Sequence, residues 1–88
     1  MDKIFVYRIY TENTGGNVSA LTERYFKGAT ISNAIGVWQG VREDALIVEI
    51  IGSETDLQSV IHLAGDIKHV NNQQAVLVTA HQVTSLLL

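Results

Sequence analysis

Ala45-Leu46-Ile47-Val48-Glu49-Ile50-Ile51 is the most strand-like run in the chain, and Gly52-Ser53-Glu54-Thr55 ends it in front of a helical pattern. Aliphatic and β-branched residues in a short run bounded by turn formers fit a pleated, half-buried surface. Immediately afterwards Leu57, Val60, Ile61, Ala64 and Ile67 recur at the spacing of one helix face. Thr55 with Gln58 three residues later matches a capping box and predicts the helix start. Asn71-Asn72 predicts its end, because Asn tolerates the left-handed backbone that stops a helix. A strand from Ala75 to Val83 follows, and then the apolar tail Leu86-Leu87-Leu88.

Working outward towards the N-terminus, the same strand–helix alternation appears again. Lys3 to Thr11 is dense in Ile, Phe, Val and Tyr and reads as a strand, broken by Thr14-Gly15-Gly16-Asn17. Val18, Leu21, Tyr25 and Phe26 then draw an apolar stripe down a helix, with Asn17 as its N-cap and Gly28 as its terminator. A strand over about Ala29 to Gln39 leads into Gly40-Val41-Arg42-Glu43-Asp44, polar enough to be a hairpin turn. The order β-α-β-β-α-β predicts an α+β, ferredoxin-like sandwich. Its antiparallel sheet runs 4-1-3-2, with right-handed crossovers and both helices on one face. Residues 1–88 are read as one such domain, since a chain of 88 residues has room for no more.

Composition narrows the function classes. Six Lys and Arg against nine Asp and Glu give a net charge of −3, and the cations are scattered. Binding to bulk nucleic acid, which needs clustered cations to replace phosphate counterions, is not expected. No apolar stretch approaches the ~20 residues of a membrane helix, and the interrupted apolar run after Met1-Asp2-Lys3 does not read as a signal peptide. The absence of Cys removes disulfides, thiolate metal sites and Cys nucleophiles, and agrees with a cytoplasmic location. Yet 47% of the residues are hydrophobic, which is rich for so short a chain and favours self-association as a homodimer or higher oligomer.

Splitting each strand by parity shows where function would sit. Phe5, Tyr7 and Ile9; Leu46, Val48 and Ile50; Val76, Val78 and Ala80; and Ile31, Ile35 and Val37 form nearly pure apolar sides, assigned to the helices. The opposite sides collect Arg8, Tyr10, Trp38, Glu49, Thr79 and His81 among Ile4, Val6, Ile47, Ile51 and Leu77. That second face is too apolar for water and too polar for a core, which marks an interaction surface.

Each candidate residue has a chemical and a structural reading. A mid-strand Arg8 offers a fixed fork of donors for a carboxylate or phosphate, or pairs with Glu49 on the neighbouring strand. Histidine is the side chain suited to general-base work near neutral pH, which makes His81 a candidate with Glu49 as a second acid or base, but neither spacing fixes their geometry. Trp38, flanked by Gly36 and Gly40, and Tyr10 supply stacking surfaces, or simply interface aromatics. His62, Asp66 and His69 share a helix arc with metal-ligand spacing that reads better as a solvated face, and no metal is expected. Gly15-Gly16-Asn17 lacks the spacing of a phosphate-binding loop and reads as a turn.

Tyr7-Arg8-Ile9-Tyr10, Gly36-Val37-Trp38-Gln39-Gly40 and Leu46-Ile47-Val48-Glu49-Ile50 together resemble small bacterial and phage ferredoxin-like proteins that have a Tyr-Arg-Xaa-Tyr first strand and a Gly-Xaa-Trp-Xaa-Gly second strand. The resemblance covers the first 50 residues or so. It implies the fold and carries no activity.

Three functions remain open. The leading expectation is an oligomeric module that binds a small anionic molecule at the open sheet face or a subunit boundary, through Arg8, Tyr10, Trp38, Glu49 and His81, without a cofactor. The alternatives are a small enzyme of the dimeric α+β barrel type, with His81 or Glu49 as acid or base and Arg8 orienting the substrate, and a protein-interaction subunit without a ligand. In each the Leu86–Leu88 tail is expected to pack on a neighbouring subunit.

Overall fold

The computed structural model describes residues 3–88. Its elements are β1 (Ile4–Glu12), α1 (Val18–Glu23), β2 (Thr30–Trp38), β3 (Val41–Ser53), a single 3₁₀ turn (Glu54–Asp56), α2 (Leu57–Val70) and β4 (Leu77–Val83). The sheet is antiparallel in the order β2-β3-β1-β4, the predicted order read from the other edge. This is the ferredoxin-like α+β sandwich that the alternation of patterns implied.

One face of the sheet packs on the helices. Tyr7 and Ile9 of β1 and Val48 and Ile50 of β3 meet Val18 and Leu21 of α1 and Val60, Leu63, Ala64 and Ile67 of α2, all buried. The α2 stripe is centred differently from the sequence reading: Val60, Leu63, Ala64 and Ile67 point inward, while Leu57 and Ile61 are 39% and 46% exposed. The observed set keeps the i, i+3, i+4, i+7 spacing of a single face, and Leu63 belongs to it where Leu57 and Ile61 do not. The polar groups that enter this region are paired. The Thr22 hydroxyl donates to the Val18 carbonyl at 2.8 Å and the Tyr7 hydroxyl to the Ser53 carbonyl at 2.6 Å.

Local signals fared unevenly. Asn17 caps α1 as expected, its side chain accepting from the Ala20 N–H at 3.1 Å. The helix, however, ends at Glu23, and Tyr25 and Phe26 lie in the turns beyond it, still packed on the core. Gly28 is not its left-handed terminator, since among the described glycines only Gly15 and Gly40 have positive φ. At the second helix Asp56, rather than Gln58, reaches back: its carboxylate accepts from the Ser53 N–H at 2.8 Å and opens a 3₁₀ turn ahead of α2. Asn72 adopts φ of 52° just after α2, the geometry anticipated there.

The largest departure is the β2–β3 hairpin. The Gly40–Asp44 segment is not the turn: Gln39 and Gly40, with φ of 49° and 78°, form a two-residue turn, and β3 starts at Val41. Positive φ at both central positions is the twist that suits a tight hairpin, and Gly40 occupies one of them without a Cβ penalty. The β1 ladder ends at Glu12, opposite Ala45, and after one more hydrogen bond, from the Asn13 N–H to the Asp44 carbonyl at 2.9 Å, the hairpin runs on alone to its tip. Ile35 and Val37 carry the parity of the core face but are 65% and 66% exposed, because neither helix extends under the arm. β3, at 13 residues and a rise of ~3.3 Å each, accounts for nearly all of the molecule's 43 Å long axis.

Candidate functional site

The open face of the sheet is a set of cross-strand rows fixed by register. Its central row is polar: Thr30, Glu49, Arg8 and Thr79 lie side by side across β2, β3, β1 and β4. The rows on either side are mainly apolar, Ile51–Val6–His81 on one flank and Ser32–Ile47–Tyr10–Leu77 on the other. Val6 is buried among these neighbours yet stands outside the core cluster, which confirms that the two faces are separate environments. Ile51 and Leu77 remain 52% and 61% exposed.

Arg8 and Glu49 are paired directly. The Arg8 Nε–H donates to Glu49 Oε2 at 2.8 Å, with the two side chains 32% and 36% exposed. One guanidinium edge is therefore occupied, while the remaining donors are available to a second anion. The pair presents a cation and an anion together on an apolar surface, an arrangement suited to a molecule that carries a carboxylate beside a positive centre.

His81 and Tyr10 flank that pair. His81 stands opposite Val6, hence diagonal to Arg8 across one strand spacing, and its side chain is exposed. Two strand spacings, roughly 10 Å, separate its strand from that of Glu49, so the two do not share a proton directly. Tyr10 lies two residues along β1 from Arg8, between Ile47 and Leu77.

Trp38 does not join them within one chain. It has the right parity but pairs with Val41, at the hairpin tip, eight residues along β3 from Glu49. At ~3.3 Å per residue this is roughly 26 Å, and the indole is 69% exposed. Parity fixes the face of a strand and says nothing of position along it, which is why sequence reasoning grouped Trp38 with Arg8.

Sequence reasoning also passed over a polar junction at the opposite end of α2. The Asn71 Nδ2 donates to Thr11 Oγ1 at 3.0 Å and to the Glu12 carbonyl at 3.1 Å, and its Oδ1 accepts from the Thr14 hydroxyl at 2.8 Å. Gly16 lies so close that a Cβ there would stand 2.8 Å from Asn71 Oδ1. The Gly15-Gly16 turn is thus a tight seat for the end of α2. In the His62, Asp66, His69 arc, Asp66 accepts from the Tyr25 hydroxyl. Among the described residues no group of three or more His, Asp or Glu is placed to hold a metal.

Two shallow depressions lie elsewhere, one lined by Lys3, Ser53, Glu54 and Thr55, the other by Gly65, Lys68, His69, Asn72 and Gln73. None of Arg8, Tyr10, Trp38, Glu49 or His81 lines either. In a single chain the candidate site is a surface, not a pocket.

Several solved structures share this fold. A phage S-adenosylmethionine (SAM) lyase in complex with S-methyl-5′-thioadenosine superposes with a TM-score of 0.71 at 20% identity, covering 93% of this chain and 83% of that one. A DUF3240 family protein from Shewanella baltica gives 0.72 at 10% identity, over 98% and 96% of the two chains. CutA from Synechococcus elongatus gives 0.60 at 10% identity, over 94% and 79%. No protein-family model matches the sequence, and no curated protein does. At these identities the likeness establishes the fold: the chain is a small ferredoxin-like α+β protein. No described helix is long and apolar enough to cross a membrane.

Proposed function

We propose that the chain is the subunit of a homo-oligomer that binds a small carboxylate- or phosphate-bearing molecule on the open sheet face, with Arg8 as its anion contact. The observation that carries this reading is the Arg8–Glu49 pair at the centre of a mainly apolar face that no helix covers. A mid-sheet charge flanked by Val6, Ile47, Ile51 and Leu77 has little structural purpose if the face is solvated, because exposed ion pairs contribute at most about 1 kcal/mol. It has a purpose if the guanidinium's free edge meets a ligand. Tyr10, with its half-buried ring, and His81 supply apolar and hydrogen-bonding contact around it. The Leu86–Leu88 tail, 80–112% exposed in the single chain, belongs to the same assembly in this reading.

The fold likeness to the phage SAM lyase suggests the first ligands to try. S-adenosylmethionine carries an amino-acid carboxylate beside positive centres, whereas S-methyl-5′-thioadenosine has the same nucleoside and no carboxylate. Native mass spectrometry of the purified protein, followed by calorimetric titration with each compound, tests the proposal. Binding of S-adenosylmethionine that Arg8→Met abolishes, with weaker or no binding of S-methyl-5′-thioadenosine, is the expected outcome. Equal affinity of wild type and Arg8→Met for whatever ligand is found would remove Arg8 from the site.

A second reading is favoured by that same likeness: an enzyme in which His81 or Glu49 acts as acid or base while Arg8 orients the substrate. Incubation with S-adenosylmethionine and chromatography for S-methyl-5′-thioadenosine separates the two. A binder leaves the compound intact, whereas for an enzyme His81→Ala or Glu49→Gln cuts turnover more than affinity.

A further inference from the structure

Past the Asn13–Asp44 hydrogen bond, the β2–β3 arm has no partner among the described residues of its own chain. Beyond the Ala34–Ala45 pair it carries Ile35, Val37, Trp38 and Val41, each between 58% and 69% exposed and distributed over both faces of the ribbon. Taking roughly 150–200 Å² for a fully exposed large side chain, these four leave on the order of 400 Å² of apolar surface in water. That matches the largest apolar patch of a typical monomer, ~300–600 Å², concentrated on a two-stranded ribbon that is unstable in isolation. The open face of the sheet is a second uncovered apolar surface on the same molecule. Trp38 and Val41 on one side of the arm, with Ile51 and Leu77 on the face, supply roughly half of the ~800 Å² per partner of a standard interface.

We infer that the β2–β3 arm of one copy lies across the open sheet face of a second copy of this chain, bringing Trp38 against the partner subunit's Arg8 and Glu49. This rests on the ligand site proposed above and supplies its missing wall. The dimensions agree. From Ala34 to the turn at Gln39-Gly40 the arm runs five residues, about 16 Å, while the outer strands of a four-stranded sheet are about 14 Å apart. An arm entering over either edge is therefore long enough to bring its tip to the middle strands β3 and β1, which carry Glu49 and Arg8. The turn, with both residues at positive φ, and continuous pairing from Trp38–Val41 to Ala34–Ala45 keep the ribbon extended. An indole over a guanidinium gains cation–π attraction in a site that the arm itself dries.

The occupant is a second copy because the chain owns both halves of the contact. Each copy has one arm and one face, so the exchange closes either as a reciprocal two-fold pair or as a ring. It also resolves the 26 Å gap: Trp38 and Arg8 share a site only between chains.

Trp38 is the single tryptophan, so its emission reports on the arm alone. Light scattering through a dilution series, with fluorescence on the same samples, is the test. An oligomer is expected whose emission is blue-shifted from that of the urea-unfolded chain and moves red on dissociation. Val41→Asp, an exposed position beside Trp38 on the same side of the ribbon, is expected to yield a folded monomer with red emission. Trp38→Ala weakens association by at least about thirtyfold, as loss of a buried tryptophan anchor does. A monomer at all concentrations, or an oligomer whose Trp38 emits like the unfolded chain, overturns the inference. Mixing Arg8→Met with Trp38→Ala subunits restores S-adenosylmethionine binding in part, since mixed contacts contain intact sites. If wild type binds none, the ligand reading fails while the fluorescence still decides the arm.

Discussion

Arg8 and Glu49 meet through one hydrogen bond of 2.8 Å, on side chains 32% and 36% exposed in the isolated chain. Their coupling energy therefore measures what covers them. In water the attraction between two unit charges at this range is about 1 kcal/mol, and exposed pairs return ~0.2–1 kcal/mol once side-chain ordering is counted. Under a second subunit the same pair is desolvated. Removing one partner then leaves a buried charge alone at a cost of ~3–5 kcal/mol, whereas replacing both by apolar residues of similar volume is close to neutral. The cycle is Arg8→Met, Glu49→Met and the double substitution, each unfolded with urea at matched subunit concentration. A Val41→Asp background provides the monomeric reference.

In the assembled protein each single change is expected to cost about 3 kcal/mol and the double change under about 1 kcal/mol, a coupling of several kcal/mol. In the Val41→Asp monomer the coupling drops below about 1 kcal/mol. A coupling under ~1 kcal/mol in both backgrounds would refute the reasoning, because it would mean that the face stays in water whatever the assembly state.

Asn71→Asp turns the donor that serves Thr11 and the Glu12 carbonyl into a carboxylate oxygen facing an acceptor, and should lower stability by ~1–3 kcal/mol; an unchanged urea midpoint would show that the junction of α2 with β1 is dispensable. Tyr7→Phe should cost ~1 kcal/mol at neutral pH by leaving the Ser53 carbonyl without its donor. Burial, with Asp56 and Glu54 nearby, raises the Tyr7 phenol above its ordinary value of 10.0. The folded state thus keeps a proton that the unfolded chain releases, and the stabilisation is complete below pH ~10 and lost as pH climbs through the folded value. The stability gap between wild type and Tyr7→Phe should therefore narrow above pH ~10. Tyr25, raised through its hydrogen bond to Asp66, titrates in the same sense in both proteins and cancels in the comparison.

What the sequence disclosed follows from how strongly each feature couples to burial. Strand order and the core residues Tyr7, Ile9, Val48, Ile50, Val60 and Ile67 were legible because each sits in a period that only one packing satisfies. The adjacency of Arg8 and Glu49 followed from strand order and parity together. The arm was illegible for the converse reason. Arg42-Glu43-Asp44 is solvated on both sides, so alternation carries no penalty there and the charges read as a turn. The turn itself is marked only by Gly40, since Gln39 is an unusual occupant of positive φ. Leu63 was missed because the stripe 57-60-61-64-67 and the stripe 60-63-64-67 differ by less than one helix position of rotation, and packing against β1 and β3 decides between them.

The misplaced Trp38 turns this failure into an argument about assembly. Parity put it on the face of Arg8 correctly, and register then put it at the far end of the arm. A tryptophan that is 69% exposed on a ribbon beyond the reach of both helices gains nothing for the monomer's core. Exposed apolar groups scattered singly need no explanation, but four on one short ribbon do. Covering the Trp38 side of the arm with the open face of another copy removes that side and the face from water at once, and gives the central ion pair the dry surroundings in which its second set of donors would select a ligand. The arm and the ligand site are then one device, and the Val41→Asp monomer should lose ligand affinity although residue 41 never approaches Arg8 within its own chain.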